Sequence, residues 1–148
     1  MRYPYTKALL GGALISIVPA FIVTLLSNLI PSTQSENLEM VNSIFGAESY
    51  GFLQYFMLFC IIVVSPLIEE AIFRGALWNF MSRFLKEKTV YIVISILFAL
   101  IHVDLLHVLG LLPISFLLGW FKYKTGNFKA SLVCHMSNNL VACIIMMV

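Results

Sequence analysis

Charge is the scarcest feature of this 148-residue chain. Asp, Glu, Lys and Arg together make up 11% of it, against roughly 25% in an ordinary globular protein. Nine basic and seven acidic residues leave a net charge of +2, which is too weak for a nucleic-acid surface. Disorder is excluded because disordered chains have low hydrophobicity, whereas 61% of these residues are hydrophobic. The composition indicates a small membrane protein that is embedded in the lipid bilayer, and we expect no nucleic acid among its partners.

Several structural and catalytic signatures are also missing. The three cysteines Cys60, Cys134 and Cys143 show no CxxC spacing and lie in apolar stretches. We therefore interpret them as small buried hydrophobic residues and not as a disulfide or zinc–thiolate framework. No HExxH, GxSxG or P-loop motif occurs, so the usual sequence signals of helical zinc proteases, serine hydrolases and nucleotide-binding proteins are absent.

Long apolar runs dominate the chain, and a helix needs ~20 such residues to cross the hydrocarbon core. We predict an all-α, polytopic transmembrane helix bundle with about five spans. They cover about residues 8–30, 51–84, 89–103, 105–123 and 130–148. The second run is too long for one upright helix, and Pro66 inside it removes a backbone hydrogen bond, which predicts a kink or a break there. Pro113 predicts a kink in the fourth span.

The order of charges along the chain predicts its domains and orientation. Residues 1–50 are expected to form an N-terminal transmembrane anchor and an acidic external loop, and residues 51–148 a core. The first apolar run is long for a signal peptide, and no clean cleavage site follows it, so we favour a retained anchor. Lys and Arg concentrate in alternate loops, which places the N-terminus in the cytoplasm and the C-terminus outside the cell membrane.

Ionisable side chains inside the spans are the main functional signal. Each costs at least ~2.5–3.5 kcal/mol on the insertion scale and is a functional candidate by default. The polar side chains within or at the edge of the spans are Glu69, Glu70, Arg74, His102, His135, Asn138 and Asn139. Any one of them alone could be a core hydrogen-bonding residue or a helix-to-helix contact. Their concentration on three short spans favours a buried site.

Helical spacing assigns these side chains to faces. Glu70 and Arg74 are four residues apart in the favourable order for an ion pair on one face, whereas Glu69 is rotated away from Arg74 and is left to face a cavity. Two further pairs have the same spacing of four: Phe98 with His102, and His135 with Asn139. Counted from the basic ends, Glu69 lies roughly 20 Å deep and His135 about 8–9 Å. Convergence therefore requires tilted or kinked helices.

Two chemistries fit this set of residues. A carboxylate and an imidazole in a low-dielectric site can deprotonate water, while a second imidazole and an amide donate hydrogen bonds to an oxyanion. Alternatively, Glu69, His102 and His135 could bind a divalent metal such as zinc, with water in the open position. Glu69 would then be both ligand and base, because Glu70 is committed to Arg74. We therefore favour a site without a metal cofactor.

Three segments resemble the motifs of one family. Residues 69–75, EEAIFRG, resemble the EExxxR motif of the CPBP family, which comprises the type II CAAX prenyl endopeptidases and the bacteriocin-processing or Abi membrane proteins. Residues 98–102, FALIH, resemble its FxxxH motif, and residues 135–139, HMSNN, its HxxxN motif. The resemblance covers roughly residues 59–148 and leaves the first span outside it.

The resemblance implies an intramembrane endopeptidase that cleaves a membrane-associated peptide or protein. In that family the first Glu and the FxxxH histidine activate water, and here these are Glu69 and His102. The His and Asn of the third motif bind the oxyanion, and here these are His135 and Asn139. The supporting residues carried over are Glu70, Arg74 and Phe98. Family members are often called metalloproteases, although a metal-free glutamate mechanism is an equally serious proposal.

Other readings of the chain stay open. It is short for the family, so a second copy in a homo-oligomer could supply elements that the single chain lacks. A non-catalytic membrane immunity or interaction protein with the same fold is the alternative to an enzyme. A small transporter is disfavoured, because the paired repeats expected of one are not visible in the sequence.

Overall fold

The structure is a computed structural model that describes residues 4–19, 21, 51–102 and 105–147. The predicted external loop and the later part of the first span lie outside these ranges. Five helices have their bounds inside the described residues, and no strand occurs there: α1 Pro4–Ile15, α2 Phe52–Met81, α3 Glu87–Leu100, α4 Leu105–Thr125 and α5 Lys129–Met147. The prediction of an all-α fold is confirmed.

Helix α2 is continuous through Pro66, so the break expected there does not occur. Two π-helical segments, Cys60–Val64 and Ala71–Leu77, flank an α-helical segment, Ser65–Glu70. Pro66 is the second residue of this middle segment and lies two residues after the end of the first π segment. The wider turn accommodates a ring that would crowd an α-helical turn and a residue that has no N–H to donate.

Helix α3 ends earlier than the sequence predicts. The expected span reached residue 103, but the helix stops at Leu100 and its last turn tightens, with the His102 N–H donating to the Ala99 carbonyl at 3.3 Å. Such i→i−3 bonds are usual at helix ends. His102 therefore lies just beyond the end of α3, in a turn, at the edge of the predicted third span and not inside a helix.

A tight turn joins α4 to α5. Helix α4 continues through Pro113 and ends at Thr125, after which Gly126 adopts φ +74°, a left-handed conformation that glycine tolerates best. The Asn127 side chain then accepts a hydrogen bond from the Lys129 N–H at 3.0 Å, at the start of α5.

The distribution of side chains is the reverse of that in a water-soluble domain. Glu70 and Arg74 are 0% exposed, whereas large apolar side chains such as Phe52 and Phe56, at 85% and 51%, lie on the outside. Exposed apolar surface of this extent around buried charges suits a lipid environment. In the described part of the chain, one helix, α2, is long and apolar enough to cross a membrane.

Helix α1 packs closely on α5 through small residues. Ala8, Gly12 and Ser16 recur every fourth position on its buried face, which is the spacing of small residues at membrane helix contacts. A Cβ on Gly12 would lie 2.0 Å from the Cys134 carbonyl oxygen. Cys134 is itself buried and unpaired, as is Cys143, while Cys60 is partly buried. The cysteines thus pack as the sequence predicts.

We expect Gly12→Ala to lower the free energy of unfolding by about 1–3 kcal/mol, because the added methyl overlaps the α5 backbone. Gly75→Ala is the matched control. It lies in α2, its nearest neighbour to an added Cβ is at 3.8 Å, and it should gain up to about 1 kcal/mol from helix propensity. Thermal unfolding of the purified proteins in detergent measures both changes. Equal melting temperatures for the two variants would contradict the close contact.

Candidate active site

The side chain of Glu70 is the centre of a buried polar network. Arg74, one turn further along α2, donates from Nη1 to the Glu70 Oε1 at 3.0 Å. From α5, the Ser131 hydroxyl donates to Oε2 at 2.5 Å, and the His135 Nδ1 lies 3.2 Å from Oε1. The predicted Glu70–Arg74 ion pair is therefore confirmed. Its contacts with α5 are an addition that the spacing did not indicate.

Arg74 connects this carboxylate to α3 and α4. Its Nη2 donates to the Ser115 backbone carbonyl at 3.2 Å and to the Ser115 hydroxyl at 3.0 Å. The guanidinium carbon lies 4.2 Å from the centre of the Phe98 ring on α3, which is a cation–π distance. The flat, forked guanidinium suits this position, because it contacts a carboxylate, a carbonyl and an aromatic face at once.

Two serines join α3 and α4 beside Arg74. The Ser115 hydroxyl donates to the Ser95 carbonyl at 2.8 Å, and the Ser95 hydroxyl donates to the Ser115 carbonyl at 3.2 Å. Gly119 permits the close approach of the helices, since a Cβ there would lie 2.6 Å from the Ser95 hydroxyl oxygen. Hydroxyl groups bonded across helices in this way are typical of packing in membranes.

Sequence reasoning missed the serines Ser95, Ser115 and Ser131, which are all 0% exposed. A signal existed for Ser131, because it precedes His135 by four residues and so shares its face of α5. No comparable signal marks Ser95 and Ser115. Their partners depend on how α3 and α4 are aligned, which no local spacing determines.

Glu69 has surroundings very different from those of its neighbour. Its side chain is 27% exposed, and the Ser65 hydroxyl, one turn earlier, donates to its Oε1. It lines an open cavity of about 310 Å³ on the surface of α2, whose other lining residues are Cys60, Ile61, Val64, Ser65 and Ile68. Glu69 therefore faces a cavity, as its helical position predicts.

His135 lies between the two carboxylates. Its Nε2 is 3.8 Å from the Glu69 Oε2, and its Nδ1 is 3.2 Å from the Glu70 Oε1. Because Arg74 keeps Glu70 ionised, we assign a proton to Nδ1, which then donates to Glu70 and leaves the Nε2 lone pair directed towards Glu69. Helices α2 and α5 thus meet at the site despite the difference in depth that the sequence indicates.

His102 is not brought into this group. Its side chain is exposed, with Nδ1 at 3.0 Å from the Phe98 carbonyl, and among the described interactions it has no hydrogen bond or ion pair with Glu69. The Phe98 ring is nevertheless near both imidazoles, with centroid distances of 5.4 Å to His102 and 5.7 Å to His135. The Phe98 ring thus lies between His102 and the rest of the site and contacts both imidazoles.

Asn139 contacts the backbone of α2. Its Nδ2 donates to the Ile61 carbonyl at 2.9 Å, within the first π segment, and its Oδ1 accepts from the Asn138 amide at 3.2 Å. This contact holds α5 against the wall of the Glu69 cavity. In the described region the Asn138 Oδ1 is buried without a hydrogen-bond partner.

The candidate zinc ligands Glu69, His102 and His135 do not form one ligand set. Among the side chains that the structure describes, no three of His, Cys, Asp or Glu group closely enough to hold a metal ion. The Glu69–His135 pair alone would supply two of the three protein ligands that a catalytic zinc uses. Since the residues as placed do not fit zinc, no chemical step is derived through a metal.

The fold and the site together define a class: an α-helical membrane protein that keeps carboxylates and an imidazole in its interior. Residues 51–141 match the family described as type II CAAX prenyl endopeptidase Rce1-like. The match covers more than half of the chain, and the chain belongs to this family of membrane-embedded proteases. The family predicted from the three motifs is confirmed.

One curated relative is similar to part of the chain. UPF0177 protein YxdF of Lactococcus lactis subsp. lactis (strain IL1403) is 33% identical over 79 residues, which are 53% of this chain and 43% of that protein. The chain thus spans less than half the length of this relative. No solved structure matches the chain.

We expect Arg74→Ala to destabilise the protein by about 3–5 kcal/mol, because it leaves the Glu70 carboxylate buried without its cation. Arg74→Lys should not restore stability, since one ammonium cannot bond to Glu70 and Ser115 while lying flat on Phe98. Accumulation in the membrane and thermal unfolding in detergent are the measurements. Arg83→Ala, which removes an exposed arginine after α2, is the control and should change stability by less than about 0.5 kcal/mol. A normal melting temperature for Arg74→Ala would refute the structural role of the pair.

Proposed function

We propose that this chain is an intramembrane endopeptidase that hydrolyses a peptide bond of a membrane-associated peptide or protein. The observation that carries the proposal is the approach of the His135 Nε2 to the Glu69 carboxylate, at 3.8 Å, beside a cavity in an apolar helix. A carboxylate and an imidazole in such surroundings suit the activation of water away from bulk solvent. Membership of a protease family supports the same function.

Glu69 is the general base in this proposal. A water molecule beside Glu69 gives a proton to the carboxylate while its oxygen attacks the carbonyl carbon of the scissile bond. When the tetrahedral intermediate collapses, the C–N bond breaks and the proton passes from Glu69 to the leaving nitrogen. The Ser65 hydroxyl, bonded to one carboxylate oxygen, leaves the other oxygen for this exchange.

Glu70 acts through His135 and not on the substrate. By accepting from Nδ1, it fixes the orientation of the imidazole, as the buried carboxylate does in a catalytic triad. The Nε2 is then a proton acceptor next to Glu69, which favours His135 as the imidazole that shares in water activation. The family resemblance instead predicts water activation by His102 and oxyanion binding by His135 and Asn139. Oxyanion binding by His135 would require a proton on its Nε2, so the two roles for this imidazole are alternatives.

We further propose the five-span arrangement, with residues 1–50 as anchor and external loop, residues 51–148 as core, and the N-terminus in the cytoplasm. Helix α1 and the residues after it run antiparallel to α4, since Gly11 lies against Leu117 and Phe121 while Pro19 lies against Gly110. In a five-span chain successive spans alternate in direction, so the first and fourth spans must run in opposite directions. The alternation of basic loops supports the orientation.

Glu69→Gln should abolish cleavage and leave the protein inserted and folded, because the amide keeps the size of the side chain but cannot accept the proton. Glu39→Gln, the same change in the predicted external loop, is the matched control and should keep full activity. The measurement is cleavage of a membrane-associated substrate at equal protein levels, with melting temperature as the check on folding. Full cleavage by Glu69→Gln would refute the proposal that this chain is the enzyme and would favour a non-catalytic immunity or interaction protein.

We also propose that water activation requires no metal. Glu69 cannot serve as ligand and as the free base at once, and Glu70 is committed to Arg74, Ser131 and His135. Cleavage by the purified protein should therefore continue at an unchanged rate in the presence of a chelator. Elemental analysis accompanies the assay. One zinc per chain, lost together with activity and restored with it by added zinc, would overturn this part of the proposal.

A further inference from the structure

A second cavity lies where the end of α2, the start of α3 and the end of α4 meet. Its volume is about 160 Å³, and its lining residues are Trp78, Asn79, Ser82, Glu87, Lys122 and Gly126. Most of these residues carry polar side chains, in contrast to the lining of the Glu69 cavity, and none belongs to the candidate active site. The peptidase mechanism proposed above does not use this cavity.

Lys122 supplies the positive charge of this cavity. It is 7% exposed although it lies in the last turn of α4. Its Nζ donates to the Gly126 carbonyl at 3.1 Å and lies 5.9 Å from the centre of the Trp78 ring. In the described part of the chain this carbonyl is the only acceptor bonded to Nζ. An ammonium has three N–H donors and no acceptor, so donors remain for an anion.

The other polar groups of the cavity are of two kinds. Asn79 is exposed and offers an amide, and the Ser82 hydroxyl is buried with no hydrogen-bond partner among the residues that the structure describes. Glu87, the first residue of α3, is exposed and supplies a carboxylate. The cavity therefore combines donors for a phosphate with a carboxylate that can accept a hydrogen bond from a hydroxyl group.

The surroundings of the cavity are strongly basic. Six of the nine Lys and Arg residues of the chain lie within residues 83–88 and 122–129, namely Arg83, Lys86, Lys88, Lys122, Lys124 and Lys129. They lie in the end turns of apolar helices or just beyond them, which in the proposed five-span arrangement is the level of the lipid headgroups. Basic pockets between membrane helices at this level are typical binding sites for anionic headgroups.

We propose that this cavity binds the headgroup of an anionic phospholipid, with its phosphate on the Lys122 ammonium. The Glu87 carboxylate accepts a hydrogen bond from a headgroup hydroxyl. This favours a singly charged, glycerol-bearing headgroup, as in phosphatidylglycerol, over a phosphate with a second negative charge. Free inorganic phosphate shares the contact with Lys122, so the test must separate the two sources.

The test uses the full chain purified in a neutral detergent, at about 0.5 M salt so that the exposed lysines are screened. Phosphatidylglycerol, phosphatidic acid, phosphatidylcholine or inorganic phosphate is added, and bound lipid is counted by native mass spectrometry while the melting temperature is recorded. We expect one tightly bound phosphatidylglycerol and a raised melting temperature. Phosphatidylcholine should bind at least ten-fold more weakly, and inorganic phosphate should have no effect.

Two variants and a matched control separate a binding site from surface attraction. Lys122→Met keeps the apolar stem and should weaken phosphatidylglycerol binding at least ten-fold, whereas Lys124→Met removes an exposed charge from the same helix and should stay within two-fold. Glu87→Gln tests the site without removing Lys122. It should reduce the preference for phosphatidylglycerol over phosphatidic acid, because the repulsion of the second phosphate charge is lost.

Several results would overturn the proposal. They are equal binding of phosphatidylglycerol and phosphatidylcholine, or equal losses in Lys122→Met and Lys124→Met. If Lys122→Met does not accumulate, the Glu87→Gln variant decides: an unchanged preference for phosphatidylglycerol over phosphatidic acid would also overturn the proposal. A full rise in melting temperature with inorganic phosphate alone would assign the site to free phosphate and exclude the lipid.

Discussion

The buried charge of Glu70 is the constraint on which the rest of this structure depends. A carboxylate surrounded by helices and lipid loses its hydration and must be bonded on all sides. Arg74, Ser131 and His135 bond to it directly, and α3 and α4 complete the contacts of Arg74 through a phenyl ring and a serine. Because these contacts come from four helices, the network determines how α2–α5 are aligned. Burial of apolar side chains gives little driving force for this alignment in a bilayer, where the lipid tails are equally apolar.

The two neighbouring glutamates show how one helix supports two opposite environments. Successive residues of a helix point about 100° apart, so Glu70 is directed into the bundle and Glu69 towards a cavity. The first is buried and bonded to Arg74, Ser131 and His135, and the second is bonded to the Ser65 hydroxyl and has one imidazole beside it. His135 contacts both carboxylates. In the proposed mechanism the Glu70–Arg74 ion pair orients His135 beside Glu69, so a structural task and a chemical task would fall on adjacent residues.

The sequence predicted those features that depend on local spacing. The Glu70–Arg74 pair follows from four residues on one helix, and the bounds of α4 and α5 follow from apolar runs. The bonds between Ser95 and Ser115 could not be predicted, because they depend on the alignment of two helices. The turn at His102 was missed for a different reason: the apolar run continues to residue 103, so hydropathy gives no sign that the helix stops at Leu100.

The two π-helical segments of α2 make the exact number of residues in this helix important for the directions in which its side chains point. A π segment is equivalent to one residue inserted into an α-helix, and each insertion turns everything after it by about 100° relative to what precedes it. The Ile61 carbonyl faces Asn139, Glu70 faces His135, and Trp78 packs with Val90 of α3. Deleting one residue from Ala71–Leu77 would leave the composition and apolar length of α2 nearly unchanged, yet Trp78 and Glu70 could no longer face their partners together. Alignment of related chains should therefore treat a one-residue gap here as a change of rotation, more severe than most substitutions.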